Sequence, residues 1–142
     1  AMTPTFSTLI DLLAYNGQAH ADRTAVIVHN DTNSETCSHR MLYQAVQRQA
    51  VALSSLGVKS GDRVLLLAGN RAEVLVLLGA VAWLGAILVP LNLRLSPGEM
   101  QQQSRDALPM VAVVDEALRR HFTFAGFAAA TCKVSQSQSL AM

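Results

Sequence analysis

The sequence predicts an α/β fold, a partial parallel sheet with flanking helices, and three observations carry that prediction. The runs at residues 63–68, 86–89 and 110–114 are short, apolar and free of polar alternation, as in strands covered on both faces. Two capping boxes, Asn70-Arg71-Ala72-Glu73 and Ser96-Pro97-Gly98-Glu99, open a helix between each successive pair of runs. Strand, helix, strand, helix, strand then makes two consecutive crossovers, which are right-handed and join parallel strands.

The elements follow in order. A first helix starts near Thr5 or Ser7, with Phe6, Leu9, Ile10 and Leu13 on one face, and ends around Asn16-Gly17. Residues 25–28 read as a short buried strand, and the cluster Asn30-Asp31-Thr32-Asn33 turns the chain into a second strand at 35–38. Ser38 caps a longer helix over 39–56, whose inner face carries Leu42, Val46, Ala50 and Leu53. Gly57 is suited to the left-handed position that closes this helix, with Val58 making the closing contact. The helix after Asn70 runs to Leu84, and Gly85 ends it. Pro97 occupies a tolerated first-turn position in the last helix, which ends near Ala107 ahead of Pro109. From about Ala125 the pattern decays, so residues 1–124 are read as one α/β unit and 125–142 as a flexible or poorly defined tail.

Composition bounds the function. The chain has 142 residues, 51% hydrophobic and 15% charged, against roughly 25% charged in an average soluble domain. Disorder is thereby excluded, and a net charge of +1 lacks the basic excess of a nucleic-acid binder. So thin a polar coat points to a piece of something larger, with self-association through exposed apolar surface as the consequence. Ala1 ahead of Met2 reads as a remnant of a cleaved expression tag, and no secretory signal is visible. Cys37 and Cys132 are widely spaced and read as reduced thiols of a cytoplasmic protein. Residues 74–93 hold no charge and are long enough for a membrane span. Gly85, the strand formers after it and Pro90 favour a buried helix followed by a buried strand instead, so no membrane span is expected.

Few residues suggest chemistry. His20, His29, His39 and His121 have no metal-ligand spacing, and no catalytic or metal residue is assigned. Asp115-Glu116 suits a helix start, where carboxylates complement the dipole. Gly69-Asn70 lies between a strand and a helix and admits two readings, an ordinary cap or a nucleotide-binding turn; the dinucleotide and P-loop glycine patterns are both absent. Arg94 follows a buried strand and precedes a helix, at the edge where crevices of open α/β sheets form. On residues alone it either returns the chain to solvent, pairs with an acid such as Glu99, or meets a ligand.

The order of these motifs resembles the amino-terminal region of the AMP-forming adenylating enzymes, the acyl-CoA synthetase and acid–CoA ligase family. The matching stretches are HADRTAVIV (20–28), LGVKSGDRVLLLAGNRAEVLVLLGAVAWLGAILVPLN (56–92), RLSPGEM (94–100) and MVAVVD (110–115). The resemblance implies a reaction in which a carboxylate attacks the α-phosphate of ATP with Mg²⁺ present, releasing pyrophosphate, and the CoA thiol then displaces AMP. It also implies that the Ser/Thr/Gly-rich phosphate loop with its lysine, the later acidic motifs and the mobile carboxy-terminal domain of such enzymes lie outside these 142 residues. ATP, Mg²⁺ and CoA would therefore serve the full-length enzyme, and none is expected to bind this chain tightly. The missing remainder of the ligase and a carboxylic acid substrate are the implied partners. One residue carries over: Arg94, in Asn92-Leu93-Arg94-Leu95, stands where some CoA ligases place an arginine on a CoA phosphate, and guanidinium suits that geometry. The alternative is a stand-alone interaction or regulatory protein that keeps the fold without the chemistry.

Overall fold

Apolar runs are buried most completely between layers, and the computed structural model does this for residues 64–67 and 111–114. Residues 87–90, overlapping the run expected as a buried strand, lie at a sheet edge and are only partly buried. The structure describes residues 7–29, 32–67, 72–115 and 130–134. The chain begins with helix α1 (Leu9–Ala19), the antiparallel pair β1 (Thr24–His29) and β2 (Ser34–Ser38), and helix α2 (His39–Ser55). Then come β3 (Arg63–Leu67), α3 (Ala72–Leu84), β4 (Ile87–Pro90), α4 (Pro97–Ala107), β5 (Val111–Asp115) and β6 (Ala130–Val134). The last four strands form one sheet in the order β4-β3-β5-β6, with every neighbouring pair parallel.

That order fixes where the helices go. The first crossover steps from β3 to β4; the second steps back over β3 to β5, so two crossovers of one hand lie on opposite faces. The packing agrees. Val64, Leu66, Val111 and Val113 face one way and pack with Ala50 and Leu53 of α2 and Leu77, Ala80 and Val81 of α3. Their alternates Leu65, Leu67, Ala112 and Val114 face the other way, with Leu91 and Met100 of α4. A third cluster, Cys37, Leu42, Val46 and Val76, seats α1 and the β1–β2 pair beside α2.

Local chemistry sets the ends of the helices. Thr8 Oγ1 accepts from Asp11 N at 3.1 Å, so α1 starts later than the periodicity suggests. It also runs past Gly17 to Ala19, because Gly17 is packed on the next helix: a Cβ there would sit 3.1 Å from Tyr43 Cβ. Ser38 caps α2 as expected, accepting from Met41 N at 3.2 Å. Gly57 takes φ +95°, Gly57 N donates to Ser54 O at 3.0 Å and Val58 N donates to Leu53 O at 3.2 Å. This paired closure recurs after α3, where Gly85 has φ +68° and Ala86 N donates to Val81 O at 3.0 Å. The capping box at Ser96 is formed in both directions, and α4 closes on Leu108 in the left-handed conformation. Its counterpart at Asn70 lies outside the described residues.

Two boundaries differ from the sequence reading. Strand β4 includes Pro90, paired opposite Leu66; β4 is an edge of the described sheet, where a proline's missing donor is tolerated. The segment expected as a tail, 125–142, contributes β6, paired with β5 from Val111↔Ala130 to Asp115↔Val134. The uncharged stretch 74–93 divides at Gly85 into α3 and β4. Among the described residues no helix is long and apolar enough to cross a membrane.

Candidate functional site

The reversal of strand order places a switch point between β3 and β5, and crevices for ligands open at the carboxyl ends of strands there. The segments leaving those two strands contain Gly69-Asn70 and Glu116, which lie outside the described residues. The described part of this edge is the turn from β4 into α4.

That turn is held at both ends. Leu91, 7% exposed, extends the ladder by donating its N–H to Leu66 O at 2.9 Å. The Asn92 side chain then accepts from Arg94 N at 3.0 Å, and Asn92 O accepts from Leu95 N at 3.2 Å. Ser96 begins the capping box, with Ser96 N donating to Glu99 Oε2 at 3.0 Å. Arg94 is exposed on this short turn, beside edge strand β4 and one strand removed from the switch point. The proposed pairing with Glu99 is not formed: that carboxylate closes the cap of α4. A solvent-facing guanidinium at the carboxyl edge can meet a phosphate without first breaking a salt bridge.

Asn92 is the residue that sequence reasoning undervalued. An asparagine two residues ahead of an unpaired backbone N–H is a recognisable signal for this side-chain turn.

The remaining candidates are not brought together. His29 Nδ1 lies 2.9 Å from Ser34 Oγ on the β1–β2 pair, His20 packs edge-on to Tyr15, and His39 opens α2. His121 lies outside the described residues. Among the described residues no group of three His, Cys, Asp or Glu side chains could hold a metal ion. Cys37 is buried, and burial pushes its thiol above the ordinary cysteine range, the opposite of what an activated nucleophile needs.

The sequence and fold match known proteins over most of the chain. A family model described as AMP-binding enzyme matches residues 13–140. A 4-hydroxybutyrate–CoA ligase of Metallosphaera sedula is 33% identical over 113 residues, which is 78% of this chain and 20% of that protein. A 2-succinylbenzoate–CoA ligase of Bacillus cereus is 33% identical over 95 residues, 67% of this chain and 19% of that one. A solved structure from Rhodopseudomonas palustris, described as a candidate long-chain-fatty-acid CoA ligase, superposes with a TM-score of 0.80 at 33% identity. It covers 93% of this chain and 34% of its own. The chain thus spans a fifth or less of these curated relatives and a third of the solved one. With a capped, doubly covered parallel sheet and a family match that reaches from α1 past β6, the chain belongs to the AMP-binding enzyme family.

Proposed function

We propose that this chain is the amino-terminal portion of an AMP-forming acid–CoA ligase. In the complete enzyme a carboxylate oxygen bonds to the α-phosphorus of ATP and pyrophosphate leaves; the CoA sulfur then bonds to the acyl carbon and AMP leaves. The observation that carries the reading is the family match over 13–140, on a fold shared with a solved structure of which it covers 34%. Hydroxybutyrate and succinylbenzoate, named for the two relatives, are chemically unlike, so the substrate is assigned only as a carboxylic acid. ATP and Mg²⁺ are assigned to the complete enzyme and act through residues outside this chain. The 142-residue chain alone is inactive on this reading and self-associates through its exposed apolar surface. The cytoplasm, which supplies ATP and CoA, is its compartment.

Within the described residues the reading gives one side chain a ligand. Arg94, presented by the Asn92 turn, contacts a CoA phosphate. In the extended ligase Arg94→Ala is expected to raise KM for CoA about tenfold, the worth of one exposed charge-assisted contact. ATP–pyrophosphate exchange, which precedes CoA entry, should stay unchanged. Steady-state kinetics with varied CoA checks this; an unaltered KM for CoA would remove Arg94 from the site.

A further inference from the structure

Helix α3 has no polar face. Its sequence is AEVLVLLGAVAWL, in which Glu73 is the one charged residue and Trp83 the one other side chain with a polar atom. The sides of α3 toward the sheet and α2 are accounted for by Val76, Leu77, Ala80 and Val81. Leu75, Leu78 and Ala82, at helical spacing i, i+3 and i+7, form a separate stripe that faces outward, with Leu75 43% and Leu78 44% exposed. Beside this helix, Ile87 opens edge strand β4 and is 49% exposed. The other helices of the sheet are built differently. Helix α4 turns Gln102, Gln103, Arg105 and Asp106 to solvent, and α2 turns out Gln44 and Arg48. A helix apolar all round belongs in an interior, with packing on both sides.

We infer that the stripe Leu75–Leu78–Ala82 is an interior surface of the parent polypeptide, covered by a layer formed from the part of the ligase outside these residues. The inference rests on the ligase reading above and deepens it by naming the docking face. The occupant follows from length: the similar solved ligase has two-thirds of its chain beyond the part this chain covers. Leu75, Leu78 and Ala82 are exposed among the described residues, and a second copy of this chain could cover the stripe only at concentrations where the chain self-associates. The remainder of the same polypeptide is always present at high effective concentration.

The test compares the 142-residue chain with the extended ligase, using Leu78→Cys and Leu78→Glu in both. In the short chain, diluted until it is monomeric, the thiol at position 78, read from its own peptide by mass spectrometry, is expected to react with a maleimide readily. In the extended ligase it should be protected by about a hundredfold, as buried thiols are. Leu78→Glu should leave the melting temperature of the short chain unchanged and reduce its self-association. In the extended ligase the same substitution should cause severe loss of soluble protein, because the carboxylate has no partner in an apolar layer. Equal labelling in the two chains overturns the inference. So does protection that disappears on dilution, which would make the occupant a second copy, and so does a short chain that Leu78→Glu unfolds. Acyl-CoA formation by the wild-type extended protein checks the ligase reading separately: an active ligase that labels freely at position 78 keeps the reading and loses the docking face.

Discussion

Leu65→Ala is expected to lower the stability of the chain by about 2–5 kcal/mol, the range for removing a fully buried leucine and leaving a cavity. Leu65 is 0% exposed and sits in β3, flanked by β4 on one side and β5 on the other. Its side chain fills the face shared with Leu67, Leu91, Ala112 and Val114. Two hydrogen-bonded neighbours hold the strand in place, so the backbone cannot move in to close the gap. A domain of this size has roughly 5–15 kcal/mol in total, so the variant should unfold at a much lower urea concentration with an unchanged slope. Leu65→Met, which conserves volume, should cost less than about 1.5 kcal/mol. Urea titrations of both variants check this, and a loss below about 1 kcal/mol for the alanine variant would show that the sheet is not packed as described.

Gly79→Leu should be at least as damaging, for the opposite reason. Helices α2 and α3 meet at Gly79, where even a Cβ would stand 2.7 Å from Val46 Cγ2, 3.1 Å from Val46 Cγ1 and 3.3 Å from Leu13 Cδ1. In an exposed helix, alanine in place of glycine gains about 1 kcal/mol. Here the gain is offset by forcing Val46, itself 0% exposed, out of its position. Gly79→Ala is therefore expected to be neutral to destabilising, and Gly79→Leu to cost about 3 kcal/mol or more, since overpacking distorts both helices. Val46→Ala should cost less in the Gly79→Ala background than in the wild-type chain, a coupling of about 1 kcal/mol in a double-mutant cycle. Stabilisation by Gly79→Ala alone would mean that the two helices stand further apart.

The parts of the fold governed by local chemistry were legible in the sequence. The Ser96 capping box, the glycine closures at Gly57 and Gly85, and the apolar strands at 63, 87 and 111 each follow from residues close together in the chain. What the sequence left open depends on distant partners. Helix α1 passes through Gly17 because Tyr43 packs there, and Pro90 can join β4 because β4 is an edge. Neither fact has a signal within a few residues. The strand at 130–134 was missed because the Ser/Gln-rich sequence after it masks a short pairing segment. At the candidate site, Arg94 was legible as a cation at the carboxyl edge, while the turn that presents it depends on the Asn92 side chain. Family resemblance supplied the ligand; spacing alone left Arg94 with three readings, of which the structure removes the pairing with Glu99.

On the proposed function, these residues are the structural front of a ligase whose reacting groups lie elsewhere in the polypeptide. The most direct measurement is carboxylate-dependent pyrophosphate release from ATP, with and without CoA, by the 142-residue chain and by the extended protein encoded by its source gene. No release above the acid-free background is expected from the short chain. The extended protein should release one pyrophosphate per acyl-CoA formed. Acid-dependent turnover by the 142-residue chain alone, or an extended protein that forms neither acyl-adenylate nor acyl-CoA with any carboxylic acid, would overturn the proposed function.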